Sequence, residues 1–588
     1  MTTRGRGADR DDGSVTLRDD LAAAGLRRRS PLVVVPTQDG VGLAWQGGSR
    51  GLAADPVSVV NELSDSEPRF TWWSADEAAP ALVDDGLRLR ACWDLGAVGR
   101  LLHGLRRADP GAVWAAAAGL PEPAPLGRGG SELFDLDAPE GSPVRPDGQL
   151  SREWQRGAWR ADVEHARRWA ELGLELQQRQ EAALGTLPDP RPSPRLPPLA
   201  LLTAHAESAA ALLAVELERD GLPLDLDVAA ALLESVVGPR PVDAADDDAQ
   251  RRRRDAAVLR LLPGPAVDLR NPLQVRQALL RLGLDLPDTR SWRLEPHAGT
   301  VPAVAALLSW RKAERTATTY GWSWLDQHVG PDRRLRGRWQ AADGASGRMT
   351  ASAGLHNLPA ELRPAVRAES GSVLVRADLG QVEPRVLAVV SGDAELARSA
   401  READMYAPVA AQLGCDRATA KVAVLAAMYG QTSGTAGAAL RDMDRAYPVA
   451  MAHLRAAEQV GQRGGELRTY GGRLLRFGAA GPGEPVGEHV VQPAGAGRFA
   501  RNAVVQGAAA ELFKAWAATV RDGLVALEGE VVLCLHDELL LQVPAGAAPD
   551  AVRLLHDALQ GTASWWAAGS PVRFVAEVAV GESWAAAH

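Results

Sequence analysis

The residues that could do chemistry fall in three short segments, all in the second part of a 588-residue chain. Asp378-Leu379-Gly380-Gln381-Val382-Glu383-Pro384-Arg385 closes one apolar run, and His536-Asp537-Glu538 interrupts another. Between them Arg417, Lys421, Leu425 and Tyr429 recur every four residues, and Gly430 follows. At roughly 100° per residue that spacing drifts about 40° per step, so a guanidinium, an ammonium and a phenol share one helix face. Two carboxylates at strand ends are hard oxygen donors suited to paired divalent cations, and a cationic helix face suits a triphosphate. Together they are equipment for nucleotidyl transfer. Taken singly, each Asp also reads as a surface-turn residue, and the helix as an amphipathic one with a solvated edge.

The elements that must position these groups are legible in outline. The apolar run 373–377 predicts a strand ending at Asp378, and Pro384 suits an early turn of the helix that follows, where a missing N–H costs little. Residues 531–535 and 539–543 predict a β-hairpin with His536-Asp537-Glu538 at its tip. Gly430 is placed to cap the helix that begins near Arg417. Upstream, 32–35 reads as a strand and 162–183 as a helix. The segment 187–198 carries so many prolines that it reads as a semi-rigid linker. From 201 to about 325 the pattern is helical, and the charge run of Asp246-Asp247-Asp248 and Arg251 to Arg254 reads as a solvated loop or helix face.

Bulk properties bound the answer. This length predicts roughly two to four compact units. A net charge of −9 excludes a generally basic coat but not a local positive cleft. Cys92, Cys415 and Cys534 are widely separated and lack metal-ligand spacing, which fits a reducing compartment. Residues 1–14 are polar and lack the apolar core of a signal peptide, and no run reads as a membrane span of about 20 residues. The expectation is a cytoplasmic chain without a membrane contact. Only three lysines, Lys312, Lys421 and Lys514, occur against sixty-two arginines. Lys can give up a proton more readily than Arg, so Lys421 reads either as a proton donor or as a chance survivor of compositional bias.

In order, type and spacing the three segments resemble motifs A, B and C of the family A DNA polymerases, over roughly residues 205 to 588. Glu216 to Gly221, Thr319-Tyr320, Ser346-Gly347-Arg348, Asn357-Leu358-Pro359, Arg498-x3-Asn502-x3-Gln506-Gly507, Gly581-Glu582-Ser583-Trp584 and the terminal His588 extend the likeness. The resemblance implies an α/β N-terminal RNase H-like exonuclease-type domain followed by an α+β right-hand polymerase with thumb, palm and fingers. Its expected boundaries are a disordered stretch 1–14, an exonuclease-like domain 15–186, a linker 187–200 and a polymerase domain 201–588. Within the last, the thumb spans about 201–330, the palm 331–395 and 495–588, and the fingers 396–494.

The implied activity is template-directed DNA synthesis from dNTPs on primer–template DNA, in repair or replication gap filling. The implied cofactor is two Mg²⁺ ions, with Mn²⁺ as a substitute, held by Asp378 and Asp537. Glu538 is implied as an auxiliary acid and Lys421 as a proton donor to pyrophosphate. Gln381, Glu383, Tyr406, Arg417, Lys421, Leu425 and Tyr429 are implied to bind the dNTP, with Glu383 rejecting a ribose 2′-hydroxyl. Arg348, Asn357, Arg385, Arg498, Asn502, Gln506 and His536 are implied to touch DNA. Three positions depart from the family: Leu425 replaces an aromatic residue, Tyr406 a histidine, and His356 a glutamine.

The rivals are a scaffold that binds DNA without turnover and a primer-independent RNA polymerase, the latter disfavoured by Glu383. In the N-terminal third the carboxylates of a 3′–5′ exonuclease are mostly gone. Pro36-Thr37-Gln38 stands for Asp-x-Glu, Cys92-Trp93-Asp94-Leu95 keeps one acid, and Trp169-x3-Gly173 stands for Tyr-x3-Asp. An exonuclease fold without proofreading is therefore expected, and no N-terminal 5′ nuclease domain.

Overall fold

Near-continuous burial along the first strands marks a sheet covered on both faces. The computed structural model describes residues 17–126, 141–265, 267–430, 435–478 and 493–587. The stretch 1–14 and His588 lie outside the described residues. Strands β1 (Pro31–Pro36), β2 (Val41–Trp45), β3 (Gly48–Leu52), β4 (Arg69–Trp72) and β5 (Cys92–Asp94) form one sheet of order β3-β2-β1-β4-β5. β1 runs antiparallel to β2 and parallel to β4. Period-two alternation sends Leu32 and Val34 into a core with Phe70 and Trp72, and Val33 and Val35 into another with Trp73, Trp93 and Trp169. Helix α1 (Leu95–His103) leaves β5, and α2 (Val163–Gly185), close to the expected 162–183, packs across β1 and β2.

The proline-rich segment is tied down. The Arg191 side chain is buried and donates to Asp189 and to the carbonyls of Pro197 and Trp565. Helix α3 (Leu199–Asp220) follows. Its residues join three cores: Ala200 and Ala204 the one under α2, Ala211, Leu212 and Val215 the opposite face of the sheet, and Leu213, Ala214 and Leu217 the large core of the C-terminal half. Among the described residues α3 is the one helix long and apolar enough to cross a membrane, which corrects the expectation that no such run exists. Some 78% of that apolar window is buried inside the fold. Its interior charges are paired: Glu207 with Lys514 at 2.8 Å, and Glu216 with Arg521 at 2.6 Å through both carboxylate oxygens. The charge run beyond it is the helix Ala244–Leu259, whose Arg254 donates to the Val237 carbonyl while Arg251 to Arg253 face solvent.

The C-terminal half begins with a hairpin of β6 (Trp339–Asp343) and β7 (Arg348–Ala351). Then come β8 (Ser372–Leu379), α4 (Val382–Ser391), α5 (Tyr406–Leu413) and α6 (Arg417–Tyr429). A long helix α7 (Pro493–Leu524) leads to β9 (Glu530–Cys534), β10 (Glu538–Pro544), α8 (Ala548–Trp566) and β11 (Ala576–Gly581). The strands β9-β10-β8-β11 form an antiparallel sheet with β8 inside it. Leu374, Val375, Leu539, Leu540 and Leu541 are fully buried, so the sheet is anchored in the core up to the carboxylates at its end.

Candidate active site

Register brings the acids together. Asp378 lies directly opposite Glu538 on β10 and opposite Glu577 on β11. The Leu379 N–H donates to the Asp537 carbonyl at 2.7 Å, which fixes the hairpin tip beside the end of β8. Burial, then the charge of Asp537, pushes the Asp378 carboxyl up to about 6, and Arg376 opposes the rise. Asp537 is raised as well, by burial and then by Glu538. Like charges partly withdrawn from water favour protons or cations. Glu538 is buried, accepting from the Trp584 indole N–H at 2.7 Å and from Arg376 at 2.7 Å.

Among the described residues no three His, Cys, Asp or Glu side chains are gathered as a ready-made metal cage. The donors present nevertheless fit a hard divalent ion: two carboxylates at adjoining strand ends, with excess negative charge around them.

Helix α6 forms where its pattern predicts. Asp416 caps its start by accepting from the Thr419 N–H at 2.7 Å, and Gly430 ends it in the left-handed region at φ 66°. Ala420, Ala423, Val424 and Ala427 are buried, while Arg417, Lys421 and Tyr429 are exposed and Leu425 is half-buried against the core. Arg417 is paired with Asp404 at 2.6 Å and lies over the buried Tyr406 ring, 5.7 Å from its centroid. Burial pushes the Tyr406 phenol up to about 12. The Tyr429 hydroxyl donates to Glu383 at 3.1 Å, and Arg348 bonds the other Glu383 oxygen. The C-terminal end of the basic helix is thereby tied to the start of α4 beside the acids.

One expected contact is corrected, and two other expected residues have partners of their own. Arg385, expected at DNA, is fully buried, and its guanidinium donates to the carbonyls of Gly380, Ala400, Glu402, Ala403 and Arg573. It braces the turn before α4 and cannot reach a ligand there. Gln381, expected at the nucleotide, has its amide committed: its N–H donates to Asp404 at 2.8 Å and its oxygen accepts from the Met405 N–H at 2.9 Å. Tyr406 sits beneath Arg417 rather than in the open.

Arg498, Asn502 and Gln506 follow four-residue spacing on α7, the first exposed and the others half-buried. Asn357 and His536 are exposed, and His536 stacks on His356 at 5.3 Å between centroids. Partial withdrawal of the stacked ring from water, then the charge of Arg348, lowers the His536 imidazole.

Four positioning residues were given no role from the sequence: Arg376, Asp404, Arg501 and Trp584. Arg501 donates to the Ala427 carbonyl at 2.6 Å and pairs with Glu458 at 2.9 Å, clamping α6 to α7. Two left a signal: Arg376 stands two residues before Asp378 on a strand, on the same face, and Trp584 closes the motif Gly581-Glu582-Ser583-Trp584.

In the N-terminal sheet, Asp94 caps α1, accepting from the Ala97 N–H at 2.7 Å and from the Ala75 N–H at 2.6 Å. Burial pushes its carboxyl up to about 6. Trp169 stacks on Trp73 at 4.2 Å, with Trp154 and Trp159 beside it. A Cβ at Gly173 would stand 3.0 Å from Val33 and 3.4 Å from the Trp73 indole nitrogen, so no carboxylate fits there without displacing them.

A sheet ending in paired carboxylates, tied to a cationic helix, has the layout of a nucleotidyl-transfer site. The chain belongs to DNA polymerase family A, whose family model matches residues 269–586, more than half of it. It is 30% identical over 325 residues to a thermostable DNA polymerase I of Thermus filiformis, covering 50% of this chain and 38% of that protein. It is 28% identical over 296 residues to DNA polymerase I of Chloroflexus aurantiacus, covering 45% and 31%. The chain thus spans well under half the length of these relatives. In fold it is similar to the POL domain of Pol1 from M. smegmatis, solved with DNA primer-template and dNTP, at TM-score 0.64 and 20% identity over 97% of this chain and 98% of that one.

Proposed function

We propose that the chain extends a primer 3′-hydroxyl with dNTPs on a DNA template, acting as a monomer in gap filling during repair or replication. The observation that carries the reading is the pair Asp378 and Asp537, locked side by side at the end of the β9-β10-β8-β11 sheet with both carboxyls raised. In this reading they hold two divalent ions, Mg²⁺ or in its place Mn²⁺, which when bound supply Lewis-acid polarisation of the phosphate and an acidified primer hydroxyl. Lys421 and Arg417 take the triphosphate, Arg417 exchanging Asp404 for phosphate oxygens and Lys421 giving a proton to the departing pyrophosphate. Glu383, held by Arg348 and Tyr429, fills the space of a 2′-hydroxyl and selects deoxyribose. Arg348, Asn357, Arg498, Asn502, Gln506 and His536 contact duplex DNA by shape and backbone. The divisions proposed for the hand are a thumb at about 201–330, a palm at 331–395 and 495–588, and fingers at 396–494.

The N-terminal unit, 15–186, is in this reading an RNase H-like exonuclease fold that has lost its chemistry. Its strand order supports the kinship, and the commitment of Asp94 to capping, with the indole cluster beside Gly173, supports the loss. A cytoplasmic, nucleoid-associated location goes with the reading.

The test is primer extension on a defined template with Mg²⁺, offering dNTPs and NTPs separately, with Asp537→Ala as control. Extension with dNTPs alone, abolished in the control, is expected. Tight primer–template binding without extension would overturn catalysis in favour of a scaffold.

A further inference from the structure

Carboxylates crowd the end of β8. Asp378 faces Glu538 on one neighbouring strand and Glu577 on the other, and Asp537 adjoins it at the hairpin tip. Into this group the chain sends a cation of its own. Arg376 stands two residues before Asp378, and strand periodicity puts both side chains on one face. Its Nη2 lies 3.0 Å from Asp378 Oδ2 and 2.7 Å from Glu538 Oε2. Glu538 is thereby engaged at both oxygens, since Oε1 accepts from Trp584. Asp378 is engaged by Arg376 through Oδ2.

We propose that Arg376 is a resident counter-ion of the metal site, a positioning residue that holds Glu538 away from the metals and sets how much divalent cation the site requires. The inference rests on the metal-site reading above. Its physics is direct. A fixed positive charge in hydrogen-bond contact with a metal-binding carboxylate opposes an incoming dication through a partly desolvated medium, where charges are weakly screened. The same guanidinium cancels part of the repulsion among the acids, so the hairpin tip can close on β8 before any metal arrives. Glu538, buried between an arginine and an indole, then serves to seat Arg376 and is no metal ligand.

The test needs neither DNA nor dNTP. Mn²⁺ binding to the full chain is titrated by the electron paramagnetic resonance signal of the free ion, with Asp537→Ala reporting what belongs to the site. Arg376→Gln removes the charge and should tighten binding by at least about tenfold, the factor equivalent to 1.4 kcal/mol. Arg376→Lys keeps the charge and should stay within about threefold of the unsubstituted protein. Glu538→Gln should retain Asp537-dependent binding, which keeps the proposal testable should Arg376→Gln not fold. Unchanged or weaker binding in a folded Arg376→Gln protein would overturn the inference alone. Loss of binding in Glu538→Gln to the level of Asp537→Ala would overturn it too, by making Glu538 a ligand. Absence of Asp537-dependent binding in the unsubstituted protein would remove the metal-site reading and this inference with it.

Discussion

Replacing Arg385 by lysine separates a brace from a DNA contact. The guanidinium serves five carbonyl oxygens: Gly380 at 3.2 Å, Ala400 at 2.8 Å, Arg573 at 2.6 Å, Glu402 at 2.9 Å and Ala403 at 2.6 Å. Burial lowers its pKa to about 10, so it remains a cation at neutral pH. An ammonium has at most three donors and no planar fork, so at least two of these carbonyls lose their partner. Each buried group left unsatisfied costs roughly 1–3 kcal/mol, which puts Arg385→Lys near about 4 kcal/mol of destabilisation. The assay is the urea midpoint followed by tryptophan fluorescence, paired with primer–template affinity measured across a salt series. Losing one phosphate contact flattens the log–log salt slope by about 0.9. The expected result is a large fall in midpoint with the slope unchanged. Stability within about 0.5 kcal/mol of the parent, with a slope flatter by about one contact, would refute the reasoning and return Arg385 to the DNA surface.

Two further outcomes follow from buried acids. Burial pushes the fully buried Glu511 up to about 7 from the 4.5 of an ordinary glutamate, against the hydrogen bonds from Thr469 and the Gly471 N–H. Because the folded state holds this proton more tightly, the contribution is fully present below 4.5 and lost as pH rises through about 7. That gap amounts to roughly 3 kcal/mol, so urea midpoints at pH 5 and pH 8 should differ more in the parent than in Glu511→Gln, and equal differences would count against it. Asp94→Ala should cost about 2 kcal/mol, because two N–H groups lose their acceptor, and should leave nuclease activity where it was. Degradation of a 3′-mismatched primer without dNTPs that disappears in this variant would show Asp94 to be catalytic.

What the sequence disclosed is what depends on neighbours within a few residues. The carboxylate at the end of 373–377, the hairpin around Asp537 and the capped helix from Arg417 to Gly430 follow from period two, period four and a terminal glycine. What it hid depends on partners that no local periodicity reveals. Arg385 reads as one more basic residue of a nucleic-acid motif until Arg573 supplies a carbonyl from the far end of the chain. Lys514 shared with Lys421 the distinction of rarity, yet it is buried against Glu207 and belongs to the core. The apolar length of α3 gave no sign of how many cores it would serve, because burial on three sides is a property of the assembled fold.

That helix binds the N-terminal unit to the rest of the chain. A polypeptide whose α3 contributes Ala211 and Leu212 to one layer, Ala204 to a second and Leu217 to a third cannot shed the first two layers cleanly. Cutting at the proline-rich segment would leave an oily flank on the remainder, and with it Arg521 would lose the Leu89 carbonyl it now reaches. A layer joined in this way is held to the rest by shared packing, so its bulk stays indispensable whatever chemistry its own side chains do or do not carry, like ballast that steadies a hull.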